Sequence, residues 1–383
     1  MHIAFYAPMK PPGDPVPSGD RTMARLLMAA LSLAGHDVEQ VSNFRSWDAT
    51  SNQARQQRLA RIGERLAGRE LRRRQARPEL RPALWFTYHL YHKAPDFLGP
   101  RVSQALGIPY IVAEASSAGK QAAGQWALGW AAAAAAIRQA DLILGLNPAD
   151  DDGIRPLLAD PSRLRRLPPF LDVRAFAGAT TERAEQRRLL AERFGFDPAE
   201  PLLLTVAMMR PGDKATSFIL LARALALLAD RPWRLLIAGD GPATREVEAA
   251  FAPLAGRTMR LGCLDEDALR RLYAACDLYV WPAINEAWGM TLLEAEAAGL
   301  PVVAGNSGGV AAVVADGVSG LLVAPGEVDA FAAAVRILLA DPVRRATMGE
   351  AARHLVSCRH DLPTAARSLD AAIRSLPTVR RCA

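Results

Sequence analysis

Short apolar runs alternate with segments of helical period along most of this 383-residue sequence. That alternation is the strongest constraint on what the chain can fold into. Ile3–Ala7 is an apolar run, a Pro/Gly-rich loop (PMKPPGDPVPSGD) follows, and Met23, Leu26, Leu27, Ala30 and Leu31 then recur at helical spacing. Gly35 stands where a helix C-terminus favours glycine, and Val38 and Val41 open the next extended segment. Strand, helix, strand is a βαβ unit, the building block of a parallel sheet.

The pattern continues with strands predicted at Leu84–Thr87, Tyr110–Ala113 and Leu142–Leu144, and a helix carrying the alanine tract Ala131–Ala136. Proline and charge density rise across 156–172, which places a domain boundary there. A second alternating series follows, with strands at Leu202–Ala207, Arg234–Ala238, Leu278–Trp281 and Val302–Ala304 and helices at Ser217–Ala229, Ala268–Ala275 and Leu292–Ala298. The expected architecture is α/β: two doubly wound, Rossmann-like domains, 1–168 and 169–359, facing each other across a cleft. A last helix, roughly 363–376 within 360–383, is expected to return to the first domain.

A hydrophobic content of 50% supplies sizeable cores and argues against disorder or a coiled coil. The charge is less ordinary. Residues 55–81 hold ten arginines against three glutamates, a local net charge of +7 in a chain whose total is +6. Leu59, Ile62, Leu66 and Leu71 fall near helical spacing within it, which predicts an exposed helix with one narrow apolar stripe. Such a helix is either simply solvated or faces an anionic membrane surface. It lacks interleaved aromatics and any nucleic-acid-reading motif, so no nucleic acid partner is expected.

Cys263, Cys276, Cys358 and Cys382 form no CxxC pair and have no close histidine, which suggests free thiols in a reducing compartment and no zinc site. The opening MHIAFYAPM does not read as a signal peptide. Trp126–Ile137, the longest uncharged apolar run, is too short to span a bilayer, which takes about 20 residues. The expectation is a cytoplasmic protein that at most docks peripherally on the inner face of the membrane.

Chemistry concentrates in 277–326, DLYVWPAINEAWGMTLLEAEAAGLPVVAGNSGGVAAVVADGVSGLLVAPG. A strand ends at Pro282, a loop holds Glu286, and Gly289 opens a helix carrying Glu294. Backbone N–H groups from Trp288 through Gly289 and Met290 to Thr291 would lie at that helix N-terminus, where unpaired donors and the helix dipole favour phosphate. Glu294, about one turn inside, has acceptor oxygens suited to a ribose diol. Glu286 would project to the far side of the phosphate, where a sugar ring would sit. After the strand Leu202–Ala207, the loop MMRPGDKAT places Arg210 and Lys214 at a strand C-terminus, the ligand-binding end of an α/β sheet. A guanidinium and an ammonium there would clamp a diphosphate.

In combination these residues resemble the donor-site signature of glycosyltransferase family 4, retaining enzymes of the GT-B fold that use nucleotide sugars. The family's paired glutamates, with seven residues between them, match Glu286 and Glu294. IAGDGP, with Gly241, resembles its second strand end, and RPGDK its Arg…Lys phosphate clamp. LPPFLDVRAF resembles the interdomain segment. In the first half, Ser18-Gly19-Asp20 resembles the glycine loop near the reacting sugar, which assigns Gly19 to the donor. FTYHLYHKAPD resembles the segment carrying a histidine near the sugar, with His89 the better match and His92 a competitor. Three positions depart from the pattern. GIPYIVAEAS ends in Glu114, Ala115 and Ser116 where a second histidine is usual; Ala312 stands where many relatives have Glu; and Leu171 replaces a common glycine.

The resemblance implies a metal-independent hexosyltransferase-like enzyme with a nucleotide-diphosphate sugar as donor substrate and no separate cofactor. Its acceptor would be a glycan, a lipid-linked molecule or a small molecule, with cell-envelope or exopolysaccharide synthesis as the setting. Arg210, Lys214, Glu286 and His89 would carry the transfer. Base contacts would be backbone contacts near Cys263. Two other readings remain: a nucleotide-sugar epimerase on the same fold, or a non-enzymatic protein binding an anionic polymer or membrane through 55–81. A dinucleotide-binding glycine loop is not supported, because Gly239-Asp240-Gly241-Pro242 supplies two glycines with a proline inside.

Overall fold

The computed structural model describes residues 1–16, 18–177, 183–287 and 289–376. Trp288 and Cys382, both named above, lie outside the described residues. The chain divides into two compact units, one of Met1–Pro168 together with the segment from Leu362, the other of Pro169–Asp361.

The first unit is built on a six-stranded parallel sheet: β1 (His2–Tyr6), β2 (Asp37–Ser42), β3 (Leu84–Leu90), β4 (Tyr110–Ala115), β5 (Leu142–Gly145) and β6 (Leu164–Arg166). Helices α1 (Gly19–Leu33), α2 (Gln53–Ala76), α3 (Gly99–Leu106) and α4 (Ala127–Gln139) connect them. The strand order is β2-β1-β3-β4-β5-β6. The chain therefore reverses direction across the sheet between β1 and β3, which makes that edge the natural ligand crevice. Strand side chains such as Phe5, Phe86, Val112 and Ile143 are fully buried on both faces, as a parallel sheet covered by helices requires.

The second unit repeats the plan with β7 (Leu202–Val206), β8 (Arg234–Ala238), β9 (Thr258–Gly262), β10 (Leu278–Trp281), β11 (Val302–Gly305) and β12 (Gly320–Val323). Its helices are α5 (Arg183–Phe194), α6 (Asp213–Ala226), α7 (Thr244–Phe251), α8 (Glu266–Ala275), α9 (Met290–Ala297), α10 (Val328–Ala340) and α11 (Pro342–Arg359). The order β12-β11-β10-β7-β8-β9 is that of a dinucleotide-type Rossmann sheet, with its reversal between β7 and β10. The last helix, α12 (Leu362–Arg374), belongs again to the first unit, where it packs on α1. His36 Nε2 lies 3.3 Å from Asp370 Oδ1 across that contact.

The Arg-rich segment corrects one expectation. It is a 24-residue helix, α2, but the face it buries is Gln56, Gly63, Ala67 and Arg74, not the leucine stripe. Leu66 and Leu71 only pack partly against the core. The Arg74 side chain is 0% exposed, and its Nη2 is 2.6 Å from carboxylates of both Glu39 on β2 and Glu70. Arg73 reaches Glu39 at 2.8 Å. Arg74 therefore acts inside the fold, while Arg73, though paired with Glu39, stays exposed along with Arg55, Arg58, Arg61, Arg65, Arg69 and Arg72. No helix among the described residues is long and apolar enough to cross a membrane.

Candidate active site

In the second unit the candidate residues all follow strand C-termini. Arg210 lies after β7, Gly241 after β8, Cys263 after β9 and Glu286 after β10. Lys214 is not in a loop, as its sequence context suggested. Helix α6 starts at Asp213, four residues before the apolar periodicity begins, so Lys214 sits in its first turn.

Lys214 and Glu286 meet at the strand-order reversal. The ammonium Nζ pairs with Glu286 Oε2 and lies 5.3 Å from the centre of the Trp281 ring. The Trp281 indole N–H donates to the same carboxylate oxygen at 3.0 Å. Glu286 is thus held by one cation and one neutral donor rather than projecting alone. Two more bonds tie its loop to α6: Ile284 N–H donates to Ser217 Oγ at 3.0 Å, and Asn285 Nδ2 donates to Asp213 Oδ2 at 2.9 Å. Ala283 and Asn285 both adopt positive φ, 54° and 50°, a conformation few non-glycine residues take up. Such strain persists where the surroundings over-determine the backbone, and it clusters at functional loops.

The glycine turn after β11 clasps this loop from the other side. Gly309 N–H donates to Ala287 O at 2.7 Å. A Cβ on Gly308 would lie 2.0 Å from the Glu286 carbonyl oxygen, and its φ is 58°, so only glycine fits. Gly241 does the same for the loop of Arg210. Its Cβ would stand 2.4 Å from Met209 O, and Met209 N–H donates to Asp240 O at 3.0 Å. Arg210 itself is exposed, with Nη2 2.8 Å from the Met208 sulfur.

Gly289, at φ 67°, caps α9, and Met290 and Thr291 form its first turn. Glu294 lies one turn on and accepts from the Tyr273 hydroxyl at 2.8 Å. Burial pushes its carboxyl up to about 7 despite that bond. Tyr279 reaches Thr291 Oγ1 at 2.8 Å, and burial raises its phenol well above the ordinary range, with Glu286 and Glu294 adding to the rise. Two residues on, Glu296 is fully buried against Ser319 Oγ at 2.5 Å, and burial raises its carboxyl to about 8.

The remaining candidates belong to the first unit. Gly19 opens α1, whose Ser18 hydroxyl accepts from Arg21 N–H. His89 lies on β3, with Nδ1 3.0 Å from Asp20 Oδ1 and 3.9 Å from Glu114 Oε2. His92 is apart from this pair, edge-on to Trp126 at 5.5 Å. Desolvation alone would lower the His89 imidazole, but Glu114, Asp20 and Asp150 together hold it up at about 9.

Cys263 and Cys358 are exposed and Cys276 is buried, all as free thiols. The expectation of no histidine close to a cysteine fails at one place: Cys358 Sγ is 3.7 Å from His354 Nε2, one turn earlier on α11. Among the described residues, no group of three or more His, Cys, Asp or Glu is placed to hold a metal ion.

Sequence reasoning missed Asp20, Trp281, Tyr273, Tyr279 and Ser217 as parts of these clusters. Asp20, Ser217, Tyr273 and Tyr279 find their partners 69, 67, 21 and 12 residues away, and neither motif nor period reports such a pairing. Trp281 bonds Glu286 only five residues on, but a strand-end indole gives no sign of that bond in the sequence.

Residues 186–355 match the family model described as glycosyl transferases group 1. Over 251 residues the chain is 33% identical to the D-inositol 3-phosphate glycosyltransferase 2 of Catenulispora acidiphila, covering 62% of this chain and 57% of that protein. The chain spans about half the length of the curated relatives it matches. Two solved structures share the fold across 98% of this chain. One is a glycosyltransferase from Rickettsia africae, with TM-score 0.74, 15% identity and 98% of its own length covered. The other is Anabaena HepE in complex with UDP-glucose, with TM-score 0.71, 17% identity and all of its length covered. The α/β arrangement of two six-stranded parallel sheets is that of GT-B proteins.

Proposed function

We propose, for a chain whose residues 186–355 match the model of the group 1 glycosyl transferases, that it moves a sugar from a nucleotide-diphosphate sugar to an acceptor hydroxyl with retention at the anomeric carbon. The observation that carries this reading is the meeting of Lys214 and Glu286 at the strand reversal of the second sheet, beside the N-terminus of α9. A diphosphate there would be held by Lys214, Arg210 and the backbone N–H groups of Met290 and Thr291. Glu294 would accept from the ribose hydroxyls, and Glu286 would orient the sugar.

In the reaction the bond from the anomeric carbon to the diphosphate oxygen breaks as the acceptor oxygen bonds to the same face. The acceptor proton passes to the departing phosphate oxygen, so no protein base is consumed. The chain's own work is charge stabilisation and positioning. Metal independence and an acceptor in cell-envelope or exopolysaccharide synthesis belong to the same reading. A relative titled as a phosphatidylinositol monomannoside mannosyltransferase, 34% identical over 202 residues, supports a lipid-linked acceptor.

A thermal-shift screen of nucleoside diphosphates and nucleotide sugars tests the donor site, since a ligand that binds the folded state raises the melting temperature by mass action. NMR of the product's anomeric configuration tests retention. Failure of every nucleotide to shift the melt would reject the reading.

The exposed arginines of α2 favour a second, compatible role as a peripheral membrane contact. Binding to vesicles rich in anionic lipid, lost when Arg58, Arg61, Arg65 and Arg69 become Gln, is the expected result. Equal binding by that variant would reject the contact.

A further inference from the structure

Three elements of the first unit bring ionisable side chains to one point at the strand-order reversal. The register pairs Tyr88 with Ala113 and Leu90 with Ala115, which sets His89 on β3 opposite Glu114 on β4. Both residues have positive φ, 59° and 58°, so the two strands kink together. Asp20, in the first turn of α1, meets the same ring nitrogen of His89 at 3.0 Å, and Glu114 lies 3.9 Å from it.

A histidine bonded to a carboxylate through Nδ1 has two possible behaviours at Nε2. In the neutral ring Nε2 is a lone-pair acceptor and works as a base; in the imidazolium it is an N–H donor. The surrounding charge selects between them. Asp20 faces the ring from α1, Glu114 from β4 and Asp150 from the segment after β5. Tyr88 and Tyr91 flank it at 5.8 and 5.4 Å between ring centres. Asp151 and Arg166 stand beyond Asp150 and act on it from opposite signs. The balance is anionic, and the His89 side chain is only 17% exposed, so water screens it little. An Asp–His pair alone is the usual arrangement of a general base; the second carboxylate, Glu114, changes the sign of what Nε2 offers.

We propose that Asp20 and Glu114 are positioning residues that keep His89 as an imidazolium, so that its Nε2–H donates to a sugar-transfer substrate instead of taking a proton from it. The substrate named here rests on the glycosyltransferase reading; the charge state does not.

The test is imidazole NMR on the full chain across pH 5 to 10, with His89→Gln to assign the resonance. His89 should still be charged at pH 8 and titrate near 9. Asp20→Asn and Glu114→Gln should each bring the midpoint down by about one unit or more. A midpoint at or below 7 in the unmodified chain, or one unmoved by both substitutions, overturns the proposal. Circular dichroism of each variant separates these outcomes from unfolding.

The transfer rate supplies an independent arm. It should fall above pH 9 in the unmodified chain and at lower pH in Glu114→Gln. A rate that instead rises through pH 9 identifies His89 as a base and overturns the proposal. A high midpoint with no nucleotide binding overturns the substrate named here and the glycosyltransferase reading, not the charge state.

Discussion

Lys214 and Glu286 come from opposite sides of the strand-order reversal in the second sheet, and they pair there over the face of Trp281. The ammonium is one-third exposed and the carboxylate 14% exposed, so the pair is reachable from solvent yet partly shielded from it. A diphosphate would compete with Glu286 for this ammonium and free the carboxylate for the sugar. Lys214→Ala is expected to lower the transfer rate by about 10²–10³-fold, the usual cost of one charge-stabilising donor. Steady-state kinetics with a donor identified by the melting screen provides the measurement.

Glu294 predicts a pH effect of definite sign. Burial raises its carboxyl from 4.5 to about 7. A raised carboxyl contributes stability that is fully present below pH 4.5 and lost as pH rises through 7. Glu294→Gln should therefore flatten part of the decline in melting temperature between pH 5 and pH 8. An unchanged slope would place the ionisation elsewhere.

Gly308 predicts a steric effect. Gly308→Ala drives a methyl group into the Glu286 carbonyl oxygen and also forces alanine to φ 58°. Gly326→Ala meets only the second problem, at φ 85° with open space around it. The left-handed conformation costs an L-residue about 1–2 kcal/mol. Gly308→Ala should exceed that cost in denaturant unfolding and should weaken nucleotide binding, while Gly326→Ala should show only the smaller loss.

The arginines of α2 divide by burial. Arg74→Met leaves Glu70 and Glu39 without their shared buried cation and is expected to cost about 3–5 kcal/mol. Arg61→Gln, on the exposed face, should stay within about 0.5 kcal/mol of the unmodified chain. Equilibrium unfolding of the two variants separates the structural arginines from those free to meet a partner.

Much of this was legible in the sequence because it is local. Parallel strands buried on both faces write themselves as apolar runs, which is why β7, β8, β10 and β11 could be read directly. The short β6 and the half-buried β9 and β12 carry weaker apolar signals and were not foreseen. Glu286, Gly289 and Glu294 lie within nine residues of one another, so their spacing reports one loop and one helix turn. The pairing of Arg74 with Glu39 spans 35 residues, and that of Asp20 with His89 spans 69. No periodicity encodes such a contact, so α2 read as exposed along its whole basic face, whether to solvent or to a membrane surface. Lys214 was placed in a loop because α6 begins with Asp213 and Lys214, before its first apolar positions.

The most direct test of a nucleotide-sugar site at Lys214 and Glu286 is calorimetric titration of nucleoside diphosphates into the intact chain and into Lys214→Ala. A charge-assisted hydrogen bond contributes about 1.5–3 kcal/mol, or roughly 10- to 100-fold in affinity. The account predicts that at least one nucleoside diphosphate binds, and that Lys214→Ala binds it weaker by that factor. Absence of binding, or equal affinity in the two proteins, would contradict it.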